Sequence, residues 1–300
     1  MPSESPLARG RLFASLALAI VFVWAYWPTF GRLVASWERD RDYSHGWLVV
    51  PVALFFLWAR RTSRPALAAR PSWLGLGMIL AAGVLRVIGG LYFLDSLDGW
   101  SILLWLLGAV WFCGGRPLAR WSLPSIGFLF FMVRIPFRAE GFLTLPMQRA
   151  ATIISCWMLQ CLGQPAIAEG NTVLLGEHRL DVEQACSGIS MLMGIAALAL
   201  AYTVLTRVSP WKKAVLIGCL VPIALLANSI RIVATGIMYQ SVPGDLAKKL
   251  SHDAAGWLVI PLAASMFAAV LWYLNRLFVE LESAHSTELL ARPEASSFVG

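Results

Sequence analysis

The sequence is short of charge: only 14% of its 300 residues are Asp, Glu, Lys or Arg, while 58% are hydrophobic. Soluble globular chains carry about 25% charged residues. The shortfall, with a mean hydropathy of +0.69, argues for a membrane protein. Paired cysteines are missing too. Cys113, Cys156, Cys161, Cys186 and Cys219 form no C-x-x-C pair, are odd in number, and four of them fall within apolar runs. A disulfide framework and a zinc site are therefore not indicated, and a Cys in an apolar run behaves as a small buried hydrophobe. No metal and no cofactor are expected. The net charge of +7 forms no basic stripe interleaved with aromatics, so nucleic acid is not an expected partner. Histidine is scarce: His45, His178, His252 and His285 complete the set. No small-residue cleavage site follows the first apolar run, which is expected to be an uncleaved anchor.

What the chain does have is long apolar runs. A transmembrane helix needs about 20 mainly apolar residues. Candidates are Leu12–Phe30, Gly46–Ala59, Trp73–Leu94, Gly99–Cys113, Ser122–Val133, Ile189–Thr206, Ala214–Gly236 and Ala255–Asn275, of which the second, fourth and fifth are short. The 14 Trp suit interfacial belts. With the N-terminus inside, the inner loops carry Arg60, Arg61, Arg64, Arg70, Arg116, Arg120, Arg207, Lys212 and Lys213 and no acid. The acids, Asp95 and Asp98 among them, fall to the outer loops, in accord with the positive-inside rule. Phe142–Leu162 is apolar enough to be a further span. However, Thr144, Gln148, Thr152 and Ser155 recur on one helical face with Arg149 beside them, so it is expected to be a non-crossing amphipathic helix, interfacial or set in the bundle against a polar cavity. Thr172–Leu175 and Leu180–Val182, around Gly176-Glu177-His178-Arg179, read as a small outer β-hairpin. The expected fold is thus all-α and polytopic: about eight transmembrane helices, one amphipathic helix and a small extracytoplasmic β-hairpin.

This topology brings the outer ends of three spans to one face. Cys186-Ser187-Gly188 opens the sixth, Asn228-Ser229-Ile230-Arg231 lies near the outer end of the seventh, and Ser251-His252-Asp253 leads into the eighth. The dipole and free N–H groups of a first helical turn favour thiolate at Cys186. A thiolate, an imidazole and a guanidinium are the parts cysteine acyl transfer calls for. Each has an ordinary alternative: a structural Cys near a helix end, an interfacial His, an Arg that snorkels to the headgroups. Arg231 is the most telling, because a charge inside an apolar span is costly and by default functional. Asn228, three residues earlier, shares its face. Ser187 and Gly188 offer N–H groups to an oxyanion. His45, in Tyr43-Ser44-His45-Gly46 at the outer start of the second span, is the rival base.

These residues resemble the exosortase/archaeosortase family of polytopic membrane cysteine transpeptidases. The likeness rests on Val182-Glu183-Gln184-Ala185-Cys186-Ser187-Gly188-Ile189, on Asn228-Ser229-Ile230-Arg231, and on His252 with Gly256 four residues on. Tyr43-Ser44-His45-Gly46, Arg134-Ile135-Pro136-Phe137 and Glu169-Gly170-Asn171 support it, and together the matches run from about Asp42 to Asn275. The resemblance implies Cys186 as nucleophile, His252 as general acid/base and Arg231 as substrate or oxyanion stabiliser, with Asn228, Ser187, Gly188, Glu183 and His45 in support. It also implies as partners secreted proteins with a C-terminal motif, transmembrane helix and basic cluster, beside membrane lipids. The setting would be a bacterial inner membrane, with the site facing the periplasm or exterior. Residues 1–276 would form the exosortase-like domain and 277–300 a polar, disordered cytoplasmic tail. A polysaccharide-export accessory activity would need a separate protein. The competing readings are a transporter that binds an anionic substrate at Arg231, for which no internal repeat is visible, and a non-catalytic polysaccharide-export assembly factor.

Overall fold

The computed structural model describes residues 6–40, 43–66, 72–176, 178–182, 188–206, 209–241 and 244–277; at 6–12, 14, 178, 188–190, 241 and 244–260 the description is of backbone only. The helices are α1 (Pro6–Arg39), α2 (Gly46–Ala59), α3 (Trp73–Leu91), α4 (Asp95–Phe128, continued by a 3-10 turn Leu129–Met132) and α5 (Phe137–Cys161), then α6 (Gly188–Leu205), α7 (Pro210–Ser241) and α8 (Gly244–Leu277). Between α5 and α6 lie β1 (Ala166–Glu169), β2 (Thr172–Leu175) and β3 (His178–Asp181). Among the described residues, four segments are long and apolar enough to cross a membrane: Ser15–Arg39, Trp73–Leu91, Asp95–Met132 and Pro210–Gln240. Gly46–Ala59 and Met191–Leu205 are shorter apolar helices. All but Leu277 of the expected tail lies outside the described residues.

The expected fourth and fifth spans fall in one helix, α4, which turns back on itself at Gly115 (φ 73°, ψ −177°). Trp100 and Phe130 stack at 5.6 Å between centroids. A straight helix would hold residues 30 apart about 45 Å from each other at 1.5 Å per residue. The returning arm runs beside α2: Trp121 Nε1 donates to the Arg60 carbonyl and the Arg60 guanidinium donates back to that of Trp121. Glycine is required at the turn because that backbone region is essentially closed to side chains. Small residues also let α3 lie against the first arm, where a methyl on Gly108 would meet the Gly75 carbonyl oxygen at 2.9 Å.

One apolar core joins α1, α2 and α4 through Tyr26, Leu33, Trp37, Phe56, Ile102 and Trp105. A second joins α5, α6, α7 and α8 through Met147, Ile195, Leu216, Ile223 and Phe267. Helix α6 belongs to both: Ala197, Leu200 and Ala201 pack on the first, Ile195 and Ala199 in the second.

Two expectations are corrected, and one that was open between two settings is narrowed. The outer hairpin is a three-stranded antiparallel sheet in the order β1-β2-β3. Pairs Glu169↔Thr172 and Leu175↔His178 close two-residue turns led by Gly170 (φ 61°) and Gly176 (φ 59°), the positive φ that primed hairpin turns demand. His178 and Arg179 therefore belong to a strand and not to the turn. Second, of the two settings expected for α5, the bundle is the one found: its polar face meets protein. Gln148, Thr152 and Ser155 are buried against the sheet and α7. Third, α8 begins at Gly244, eleven residues before the expected Ala255, so His252 stands inside a helix and not ahead of one.

Candidate functional site

Helix α7 supplies the described half of the site. Asn228 is 2% exposed, and neither its Oδ1 nor the hydroxyl of Ser229 has a hydrogen-bond partner among the described residues. Such open valences in a buried residue are uncommon, because each costs about 1–3 kcal/mol when nothing fills it. Arg231 is half-buried. Among the described residues no carboxylate pairs with it. It follows Asn228 by three residues, hence on one face, between Ala227 of the second core and Ile232 and Val233 of the apolar cluster under the sheet.

Helix α5 closes the floor. The Ser155 hydroxyl donates to the Ser229 carbonyl at 3.3 Å, and Thr152 Oγ1 donates to the Gln148 carbonyl at 2.8 Å. Asn171, in the β1–β2 turn, donates from Nδ2 to Gln148 Oε1 at 3.1 Å. The polar stripe of α5 thus ties sheet, α5 and α7 into one support. This explains why Glu169-Gly170-Asn171 precedes β2: Gly170 makes the turn and Asn171 anchors it.

Helices α7 and α8 form an antiparallel pair whose far ends are fixed by Lys212 Nζ donating to Asn275 Oδ1 at 3.3 Å. The His252 backbone lies in the third turn of α8, at the end away from Asn275. Gly188 is the first residue of α6. Glu183, Cys186 and Ser187 lie outside the described residues, as does the His252 side chain.

His45 has a different setting. Its Nε2 lies 3.0 Å from the Phe131 carbonyl, which can only accept, so that nitrogen carries the proton. The contact fastens α2 to the turn after α4. Neighbouring residues build the same joint. Trp37 Nε1 donates to the Met132 carbonyl at 2.9 Å, and a side chain at Gly46 would strike the Trp37 indole. The Ile135 N–H donates to Tyr43 Oη at 3.3 Å. Arg134 pairs with Asp40 at 3.2 Å and lies over the Tyr43 ring. Burial pushes the Tyr43 phenol up to about 12, with the nearby Glu140 and Asp40 adding to it against the Ile135 N–H and Arg134. The sequence motifs around Tyr43 and Arg134 are thus two halves of one contact.

A second charged cluster went unremarked in the sequence. Asp98, expected as an outer-loop acid, is 3% exposed. Arg32 of α1 pairs with it, Thr29 Oγ1 donates to it at 2.7 Å, and Arg86 of α3 lies 3.5 Å away. The only signal was Arg86, a lone charge in the Trp73–Leu91 run. Among the described residues no group of three His, Cys, Asp or Glu side chains could hold a metal ion.

The family model described as transmembrane exosortase matches residues 37–270. No curated protein and no solved structure matches.

Proposed function

This chain belongs to the transmembrane exosortase family, and from that premise we propose that it is a cysteine transpeptidase of the bacterial inner membrane. It would cleave the C-terminal sorting signal of secreted proteins at the outer face and pass them to a cell-surface acceptor. The observation that carries this reading is the α7 pair. Arg231 is a half-buried cation with no carboxylate beside it among the described residues, and Asn228 beside it is a buried acceptor with nothing to accept. A peptide carbonyl gaining negative charge suits the first and a peptide N–H suits the second.

In this reading the Cys186 sulfur bonds to the substrate carbonyl carbon, held by Arg231 and the N–H groups of Ser187 and Gly188. The C–N bond then breaks as His252 gives its proton to the leaving amine. An acceptor nucleophile, deprotonated by His252, attacks the thioester carbon, the C–S bond breaks and the thiolate returns. The acid-free inner loops support an outer site.

The test is processing of a reporter that ends in the C-terminal signal of a secreted protein from the same cell. Cys186→Ala and Cys186→Ser are expected to abolish it, with a thioester trapped on the wild type. Undiminished processing by stably inserted Cys186→Ala protein would refute the nucleophile. His252→Ala is expected to stop turnover and His45→Ala only to weaken the fold. A carrier of anionic solutes also suits Arg231, but expects Cys186 to be dispensable.

A further inference from the structure

The two edges of the sheet are treated differently. At the β1 edge, Ala166 turns its carbonyl to α5, where it accepts from Gln160 Nε2 at 2.9 Å and from the Cys156 thiol. That edge is occupied. The β3 edge is not. In an antiparallel hairpin closed at Leu175↔His178, hydrogen-bonded pairs alternate with open ones, so Val173↔Leu180 is bonded to β2 and Leu174↔Arg179 is open. The N–H and C=O of Arg179 therefore point away from β2. Among the described residues nothing meets them. The Arg179 side chain is exposed. An uncovered edge is a template for another strand, and proteins normally blunt it unless it is used.

The place of this edge says what would use it. Asp181 ends β3 and Cys186 follows five residues later, just before α6. The sheet is seated on α5 and α7, through Leu159, Ile232 and Val233, the helices that carry Ser155, Asn228 and Arg231. We infer that the β3 edge takes the extended segment of the substrate, the residues ahead of its transmembrane helix, as a fourth strand. Main-chain pairing holds that segment while Cys186 attacks it. The inference rests on the transpeptidase reading and adds to it where the peptide is held. Binding through backbone groups leaves sequence choice to the side chains that alternate above and below the strand.

Two measurements test it with the same signal-bearing reporter. Arg179→Pro removes an outward N–H, which an edge strand tolerates and β2 does not need, together with the guanidinium that pairs with Asp181, a loss that Arg179→Ala shares. Arg179→Pro is expected to slow processing at least tenfold, and Arg179→Ala, which keeps the N–H, at least fivefold less than that. Equal effects of the two substitutions would overturn the proposal. The second measurement is independent of folding in the Pro variant. In a Cys186→Ala background, Arg179→Cys is oxidised against single cysteines walked along the reporter segment. Disulfides at every second reporter position are expected. Disulfides at none, or at all positions equally, would sink the strand. If the edge fails both tests while Cys186→Ala still abolishes processing, the nucleophile stands and only the docking mode falls. If Cys186→Ala processes normally, the transpeptidase reading itself has failed.

Discussion

Arg231 and Asp98 are both charges within apolar helices, and what surrounds each assigns it a different task. Asp98 is held by Arg32, Arg86 and Thr29. Removing it leaves Arg86 and Thr29 without their carboxylate, while half-exposed Arg32 keeps Asp95 at 3.1 Å. Asp98→Ala is therefore expected to lower the thermal unfolding midpoint of the detergent-solubilised protein by several degrees. Arg231→Met strands no carboxylate among the described residues. It is expected to unfold no earlier than wild type while reporter processing falls at least tenfold. A large loss of stability in Arg231→Met would mean a structural Arg. The sequence made Arg231 legible because its neighbours are apolar. It hid Asp98, because an acid near a helix start looks like a loop acid and its partner Arg32 is 66 residues away. The candidate site was likewise read as residue types in order. The support beneath it, Gln148–Asn171 and Ser155–Ser229, needed the packing of α5 on α7 to appear.

Among the elements, α4 turns on one residue. The Gly115 backbone (φ 73°, ψ −177°) is in the region closed to side chains, where strain costs about 1–3 kcal/mol. Gly115→Ala is expected to destabilise by that amount in thermal unfolding. Gly127→Ala, with nothing within 4 Å of a new methyl, is expected to be neutral or slightly stabilising. Hydropathy located the two arms of α4 correctly but could not show that helical backbone continues to Gly115 from either side. It failed for the same reason at α8, where Asp245, Lys248, Lys249 and Asp253 end the apolar run while the helix runs on to Gly244. A helix needs hydrogen bonds and not hydrophobicity. Strand β1, Ala-Ile-Ala-Glu, was missed because it is four residues long and two are alanine, a weak strand former.

For the whole molecule, sidedness is the property on which the function depends. Cys161 is exposed at the end of α5 beside the sheet, and Arg64 is exposed in the segment after α2. With the sheet outside, a membrane-impermeant maleimide applied to intact spheroplasts of a Cys186→Ala, Arg64→Cys strain should modify Cys161 at once. Position 64 should react only after lysis, with sites assigned by peptide mass. The reverse pattern would place the sheet, and with it the α6 start, in the cytoplasm. Positive-inside counting argues for this orientation from the short arginine-rich loops, and it carries least between Arg134 and Lys249, where basic residues occur on both sides of each span.

Helix α6 has partners on opposite flanks, with Leu200 and Ala201 turned to one core and Ile195 and Ala199 to the other. A helix gripped from one side can roll; one gripped from two cannot without opening a cavity in both. One residue of slip would turn α6 by about 100° at 3.6 residues per turn and swing whatever precedes Gly188 through the same arc. The two cores therefore act on the chemistry at a distance. By fixing the azimuth of α6, they fix the compass bearing of its first turn, at Gly188.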